Sequence, residues 1–75
     1  MTRRQLLDLL DSLDRALAEG SIDWVAASDA WLSLRLETIG TALEDSVTAA
    51  GDCIATYQPE GARNILGAVA RRMRP

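Results

Sequence analysis

Apolar residues recur at helical spacing along three stretches of this chain, with polar residues between them. Thr2 and Gln5 form a capping-box pair at the start of the first stretch, and Gly20 is a natural left-handed residue at its end. The pattern predicts a helix over residues 3–18. Its apolar face holds four leucines at steps of four, three and four: Leu6, Leu10, Leu13 and Leu17.

The second stretch carries the longest apolar line. It passes Gly40 without a change of phase, which predicts one helix over residues 22–56, roughly 50 Å long at 1.5 Å per residue. Glycine inside a helix costs about 1 kcal/mol relative to alanine. Thr41 and Glu44 also match a capping box, so a bend or break at Gly40 is the alternative. The line consists of Val25, Leu32, Leu36, Ile39, Leu43, Val47, Ala50, Ile54 and Tyr57.

Pro59 interrupts this line, because proline cannot continue a helix but suits the first turn of the next one. The sequence therefore predicts a single all-α domain over residues 1–75, a small bundle of three helices at about 3–18, 22–56 and 59–73. The third helix is indicated by an apolar stripe of Ala62, Ile65, Leu66, Val69 and Met73.

The unequal lengths of these helices bear on assembly. The outer two would each cover half of the central helix, which leaves a thin molecule with little core. The central helix could fold at Gly40 into a compact bundle of four segments, or two chains could pair along their long helices. We expect a homodimer or a complex with a partner.

Both tryptophans, Trp24 and Trp31, lie in the predicted central helix, seven residues apart. On a wheel of about 100° per residue they fall roughly 110° from the apolar line, on a second strip. Small residues continue this strip, and Leu34 lies almost opposite the main line, where we expect it to be exposed.

The sequence leaves two possible structural roles for this strip. The first helix could pack over both tryptophans, or the strip could be an interface, since tryptophan is enriched at binding hot spots. On the interface hypothesis, the predicted partner-binding residues are Trp24, Trp31, Leu34, Ala42 and Ala49.

The composition excludes most kinds of catalytic and metal-binding site. The 75 residues include no histidine, no lysine and one cysteine, Cys53, so the usual general bases and Schiff-base nucleophiles are lacking. One cysteine allows neither an internal disulfide nor a zinc site of the usual kind. Asp8, Asp11 and Asp14 drift around the helix and do not converge on a metal ion. We therefore expect that the protein is not an enzyme and that it binds neither a cofactor nor a metal ion.

The distribution of charge and the hydropathy of the chain limit the classes of partner that the protein can bind. Residues 5–62 hold all eleven acidic residues but only two arginines, a net charge of −9, whereas binding to nucleic acid needs clustered cations. No uncharged apolar run is long enough for a transmembrane helix, and carboxylates interrupt the first leucines too early for a signal peptide. We expect a cytoplasmic protein that binds neither nucleic acid nor membrane.

One short motif indicates a different function. Asp11, Ser12 and Leu13 resemble the phosphopantetheine attachment motif of acyl carrier proteins, which are also acidic, helical and of similar length. In that family the serine opens the second helix, whereas Ser12 is predicted to lie within the first. The resemblance covers three residues and implies a carrier function only if Ser12 is modified.

These features favour a small acidic protein that acts by binding another protein. The first hypothesis is a regulator that inhibits or sequesters a larger protein, such as an antiactivator of a transcriptional regulator. The second is a structural or docking module that forms a helical homodimer with both tryptophans buried, and the third is the carrier protein. A monomer with exposed tryptophans favours the first over the second.

Overall fold

In the part of the chain that the structure describes, four helices surround an aliphatic core. The computed structural model describes residues 2–18 and 20–74, in which α1 spans Arg3–Ala16, α2 Trp24–Thr38, α3 Glu44–Ala55 and α4 Pro59–Met73. Each helix packs against the next, and α1 also packs against α4, so the four form a closed ring. The all-α prediction is confirmed, but the predicted count of three helices is wrong. The molecule measures 30 × 21 × 18 Å, so it is not the thin, elongated shape that a continuous central helix would give.

Local capping explains where the helices begin. The Gln5 N–H donates to the Thr2 hydroxyl at 3.2 Å, and the Thr2 N–H donates to the Gln5 side chain at 2.8 Å, so the predicted capping box is confirmed. The α2 helix begins at Trp24 because the Asp23 carboxylate caps it, accepting from the Ala26 N–H at 3.0 Å. The fourth helix opens on Pro59, as predicted.

The central helix predicted over residues 22–56 is broken, as the alternative allowed. Gly40 has a φ of +79°, in the left-handed region that favours glycine. The Gly40 N–H donates to the Glu44 carboxylate at 2.9 Å, and the Thr41 hydroxyl donates to the Thr38 carbonyl at 2.6 Å. These bonds satisfy backbone groups that a continuous helix would have paired, so the turn replaces much of what the break removes.

In the broken helix, α2 buries the face opposite to the one that the long apolar line predicted. The face that carries Leu34 packs into the core, and Leu34 is 0% exposed, so the prediction that it is exposed is wrong. The physical reason is that α1 and α3 both pack against the side of α2 opposite the long apolar line. Only the α3 part of that line is buried, through Val47, Ala50 and Ile54.

The core draws on all four helices. Thr38 is its one buried polar residue within the described ranges, and its hydroxyl donates to the Leu34 carbonyl at 2.9 Å. No described residue has a buried side-chain nitrogen or oxygen without a hydrogen-bond partner. The buried apolar residues are Leu10, Leu13, Leu17, Ala27, Leu34, Val47, Ala50, Ile54, Ala62, Leu66 and Val69.

Candidate functional site on helix α2

The outward face of α2 is apolar. Four large aliphatic residues at helical spacing form what we call the outer stripe, with exposed fractions of 74%, 52%, 67% and 53% for Val25, Leu32, Leu36 and Ile39. Asp29, also exposed, lies between Val25 and Leu32 on the same face. Among the described residues, Tyr57 is the only other large apolar residue with such exposure. Contiguous apolar surface of this kind is typical of interaction sites.

A groove between α2 and α3 adjoins the outer stripe. Its volume is about 400 Å³, and Leu32 belongs to both the groove and the stripe. We call it the indole groove, because both tryptophans line it. Its full lining is Trp24, Ser28, Trp31, Leu32, Gly51, Ile54, Ala55 and Tyr57.

Trp31 lines the indole groove and packs against α3. Its indole N–H donates to the Val47 carbonyl of α3 at 2.8 Å, and its ring lies against Gly51. A Cβ added at Gly51 would overlap the ring atom Cζ2 of Trp31 and lie 2.5 Å from Cε2. The guanidinium carbon of Arg35 lies 5.9 Å from the ring centroid, within the range of a cation–π contact. Trp31 therefore makes three specific contacts, with Val47, Gly51 and Arg35, while remaining half-buried.

Trp24 and Tyr57 also line the groove, in contact with each other. Their rings meet edge to face, with centroids 5.0 Å apart and an interplanar angle of 86°. Tyr57 has a φ of +57° at the end of α3, where the Gln58 N–H donates to the Cys53 carbonyl at 2.7 Å. That position usually takes glycine, because other residues pay about 1–2 kcal/mol there. A bulky residue in a strained conformation is an indication of function.

A second depression, of about 440 Å³, lies near the start of α4. Leu17 in its wall is buried and Ile22 is half-buried. None of the exposed large apolar side chains identified in residues 2–18 and 20–74 borders it. The outer stripe with the indole groove is therefore the better candidate for a binding surface.

The predicted partner-binding residues are dispersed by the fold. Trp24 and Trp31 both line the indole groove and are half-buried. They are therefore neither fully covered by the fold nor fully exposed to solvent. Leu34 lies in the core. Ala42 lies in the α2–α3 loop and Ala49 on α3; both are exposed and neither lines the groove. The small-residue half of the strip does not continue the tryptophan half, because α2 ends at Thr38.

Sequence reasoning missed the outer stripe and Tyr57 as surface features. The signal was present in the alternation of Leu32, Leu34 and Leu36, which places apolar side chains on opposite sides of one helix. A helix with two apolar faces in a small domain can bury only one of them internally. Gly51, in the middle of an otherwise good helix, was the signal of a close approach by Trp31.

Charge is segregated between the two halves of the ring. The segment 20–58, which holds α2 and α3, carries six acidic residues and one arginine, a net charge of −5. The segments 3–18 and 59–74, with α1 and α4, carry seven arginines and four acidic residues, a net charge of +3. Ion pairs join these two segments, Arg63 to Asp14 at 2.9 Å and Arg74 to Asp11 at 3.2 Å. The outer stripe therefore lies in the acidic half.

None of the described helices is long and apolar enough to cross a membrane. Among the described residues, no group of three or more His, Cys, Asp or Glu side chains is arranged to hold a metal ion. Comparisons of the chain with protein-family models, with curated proteins and with solved structures found no match.

Proposed function

We propose that this protein is a small regulator that binds a larger protein and inhibits or sequesters it, for example as an antiactivator of a transcriptional regulator. The observation that carries the proposal is the outer stripe, four large aliphatic side chains that the fold leaves outside. The core is complete without them, since its buried residues come from the opposite face of α2. The stripe is therefore available for a partner.

The surface is large enough to contribute to binding. Burying a large aliphatic side chain fully contributes about 1.5–3 kcal/mol, so each half-exposed member of the stripe contributes roughly 1–2 kcal/mol. Trp24 and Tyr57, which line the indole groove, extend the apolar surface there. Aromatic residues of this kind carry much of the energy at interfaces. The stripe and groove together support a specific complex.

Two other functions are weighed against this one. A docking module that forms a homodimer would use the same stripe, and its distinguishing property is self-association in solution. A carrier protein needs a modified Ser12, which lies exposed within α1 and not at the start of a second helix. The mass of the intact protein from its native cells tests the modification directly.

The experiment is affinity capture from the native cells with wild type, Leu36→Glu and Ala49→Glu. Both variants add a carboxylate at an exposed helical position, but only Leu36 belongs to the outer stripe. We expect wild type and Ala49→Glu to retain the same partner and Leu36→Glu to lose it. Equal recovery by all three proteins would overturn the proposal that the stripe is the binding surface.

A further inference from the structure

We propose that the outer stripe binds an amphipathic helix of the partner, and that this helix carries an arginine or lysine within its apolar face, opposite Asp29. The inference deepens the proposed function and rests on it. It concerns the chemistry of the occupant, which the positions along α2 and the distribution of charge define.

The spacing along α2 fits a partner helix. With Asp29 included, the exposed positions follow one another at steps of four, three, four and three, which is the spacing of a coiled-coil seam. From Val25 to Leu36 the seam rises roughly 16 Å at 1.5 Å per residue, about three turns, and Ile39 follows directly after the end of α2. A helix laid along the seam would contact every one of its positions.

Asp29 is the one charged member of this seam. Val25 and Leu32 lie one turn before and after it, so an occupant that covers both would also cover the carboxylate. Within the described ranges, no ion pair or side-chain hydrogen bond engages Asp29. Burying an unpaired carboxylate is unfavourable because the charge loses its hydration, and a cation placed opposite offsets that cost. A single polar group in an apolar seam also fixes the register of the two helices.

A second copy of this chain does not supply that cation together with an apolar face. The stripe of another copy lies in a segment of net charge −5, so two stripes brought together would repel each other. The net positive charge lies in the segment 59–74 with α4, whereas α1 has three arginines and three aspartates, and neither helix contributes any of the exposed large apolar side chains identified in the described residues. Two of their arginines, Arg63 and Arg74, are paired with Asp14 and Asp11. The better occupant is a helix that is both apolar and cationic.

The indole groove gives this helix an anchor. Leu32 borders the groove and the stripe, so an occupant seated on the stripe can place one large apolar side chain beside Trp24 and Tyr57. Apolar contacts along the seam would provide most of the affinity. The cation opposite Asp29 would provide register and selectivity.

The test uses designed helical peptides of about three heptads. The peptides share one apolar face and differ at its central position, which is Arg in one and Glu in the other. Each is titrated against wild type and Asp29→Arg, with binding followed by tryptophan fluorescence and by amide NMR shifts. Because Asp29 is exposed and mid-helix, Asp29→Arg should fold normally, and circular dichroism checks this.

We expect wild type to bind the Arg peptide about tenfold or more tightly than the Glu peptide, and Asp29→Arg to reverse the preference. The NMR shifts should lie on α2 and around Tyr57. Absence of the reversal, shifts confined to α1 and α4, or binding of neither peptide would each overturn the inference. Self-association through the stripe that excludes the peptides would do the same and would identify a second copy as the occupant.

Failure of this inference is distinguishable from failure of the proposed function. If capture of the native partner is lost in Leu36→Glu but unchanged in Asp29→Arg, the stripe is the binding surface and the paired cation is wrong. If Leu36→Glu captures the partner as well as Ala49→Glu does, the stripe is not the binding surface and the proposed function loses the observation that carries it.

Discussion

The indole N–H of Trp31 donates a hydrogen bond to the Val47 carbonyl oxygen at 2.8 Å and thereby joins α2 to α3 across the break. The bond is possible because Gly51, one turn beyond Val47, leaves room for the ring. Val47 is fully buried, whereas Trp31 is only half-buried. One side of the indole therefore belongs to the fold and the other to the groove.

Gly51→Ala should destabilise the protein by about 1–3 kcal/mol, because the new methyl group would overlap the Trp31 ring and displace it. Urea unfolding followed by circular dichroism measures the change. Tryptophan fluorescence should shift to the red as the ring becomes more exposed to water.

Gly67→Ala is the matched control for that substitution. Gly67 also lies within a helix, α4, but an added Cβ would meet only the flexible Arg71 side chain, at 3.7 Å. There the gain in helix propensity should stabilise the protein by about 0.5–1 kcal/mol. Changes of the same sign in the two variants would contradict the close packing of Trp31 on Gly51.

Leu34→Ala and Leu36→Ala test which face of α2 is internal. Leu34 is 0% exposed and Leu36 is 67% exposed, although they lie two residues apart. We expect Leu34→Ala to cost about 2–5 kcal/mol of stability through lost contacts and a cavity. Leu36→Ala should change stability by about 0.5 kcal/mol or less. Thermal and urea unfolding of both variants measure the difference, and similar losses would show that the faces are assigned wrongly.

The sequence predicted α1 and α4 well because each has one apolar face and a recognisable start. Thr2 with Gln5 marked the first helix, and Pro59 marked the last. Helical periodicity could then identify the buried face without knowledge of the neighbouring helices.

The α2 helix was predicted poorly because it is apolar on two faces. Periodicity favoured the line through Leu32 and Leu36, but the choice between that face and the one with Leu34 is made by the packing of α1 and α3. The unbroken phase through Gly40 was coincidental, and the local turn signals at Thr41 and Glu44 were the more informative ones. The location of the binding surface depends on this choice, so it could not be read from periodicity.

Gly40→Ala tests the turn that separates α2 from α3. The added Cβ would meet no atom within 4 Å, so its cost comes from the φ of +79° alone, about 1–2 kcal/mol. We expect a loss of stability of that size with no gain of helicity, because the Thr38, Thr41 and Glu44 hydrogen bonds still favour the turn. Gly40→Asn is the control, since asparagine tolerates the left-handed region and should restore part of the loss. A rise in helix content in Gly40→Ala would instead indicate that the chain can form the continuous helix.

Tyr57→Gly separates stability from function at the indole groove. Glycine removes the strain of a left-handed tyrosine, about 1–2 kcal/mol, and also removes the edge-to-face contact with Trp24, which contributes about 0.5–1.5 kcal/mol. These effects oppose each other, so we expect stability to change by roughly 1 kcal/mol or less. Binding of the Arg peptide should weaken several-fold, because the groove loses one wall.

Tyr57→Phe is the matched control for that variant, because it keeps the ring over Trp24 and the same backbone strain. It should bind the peptide like wild type, since the ring that contacts Trp24 beside the groove is kept. If Tyr57→Gly bound as tightly as Tyr57→Phe, the strained tyrosine would have no part in binding. A large loss of stability in Tyr57→Gly would mean that the ring is held for the fold, and the strain would then say nothing about a partner.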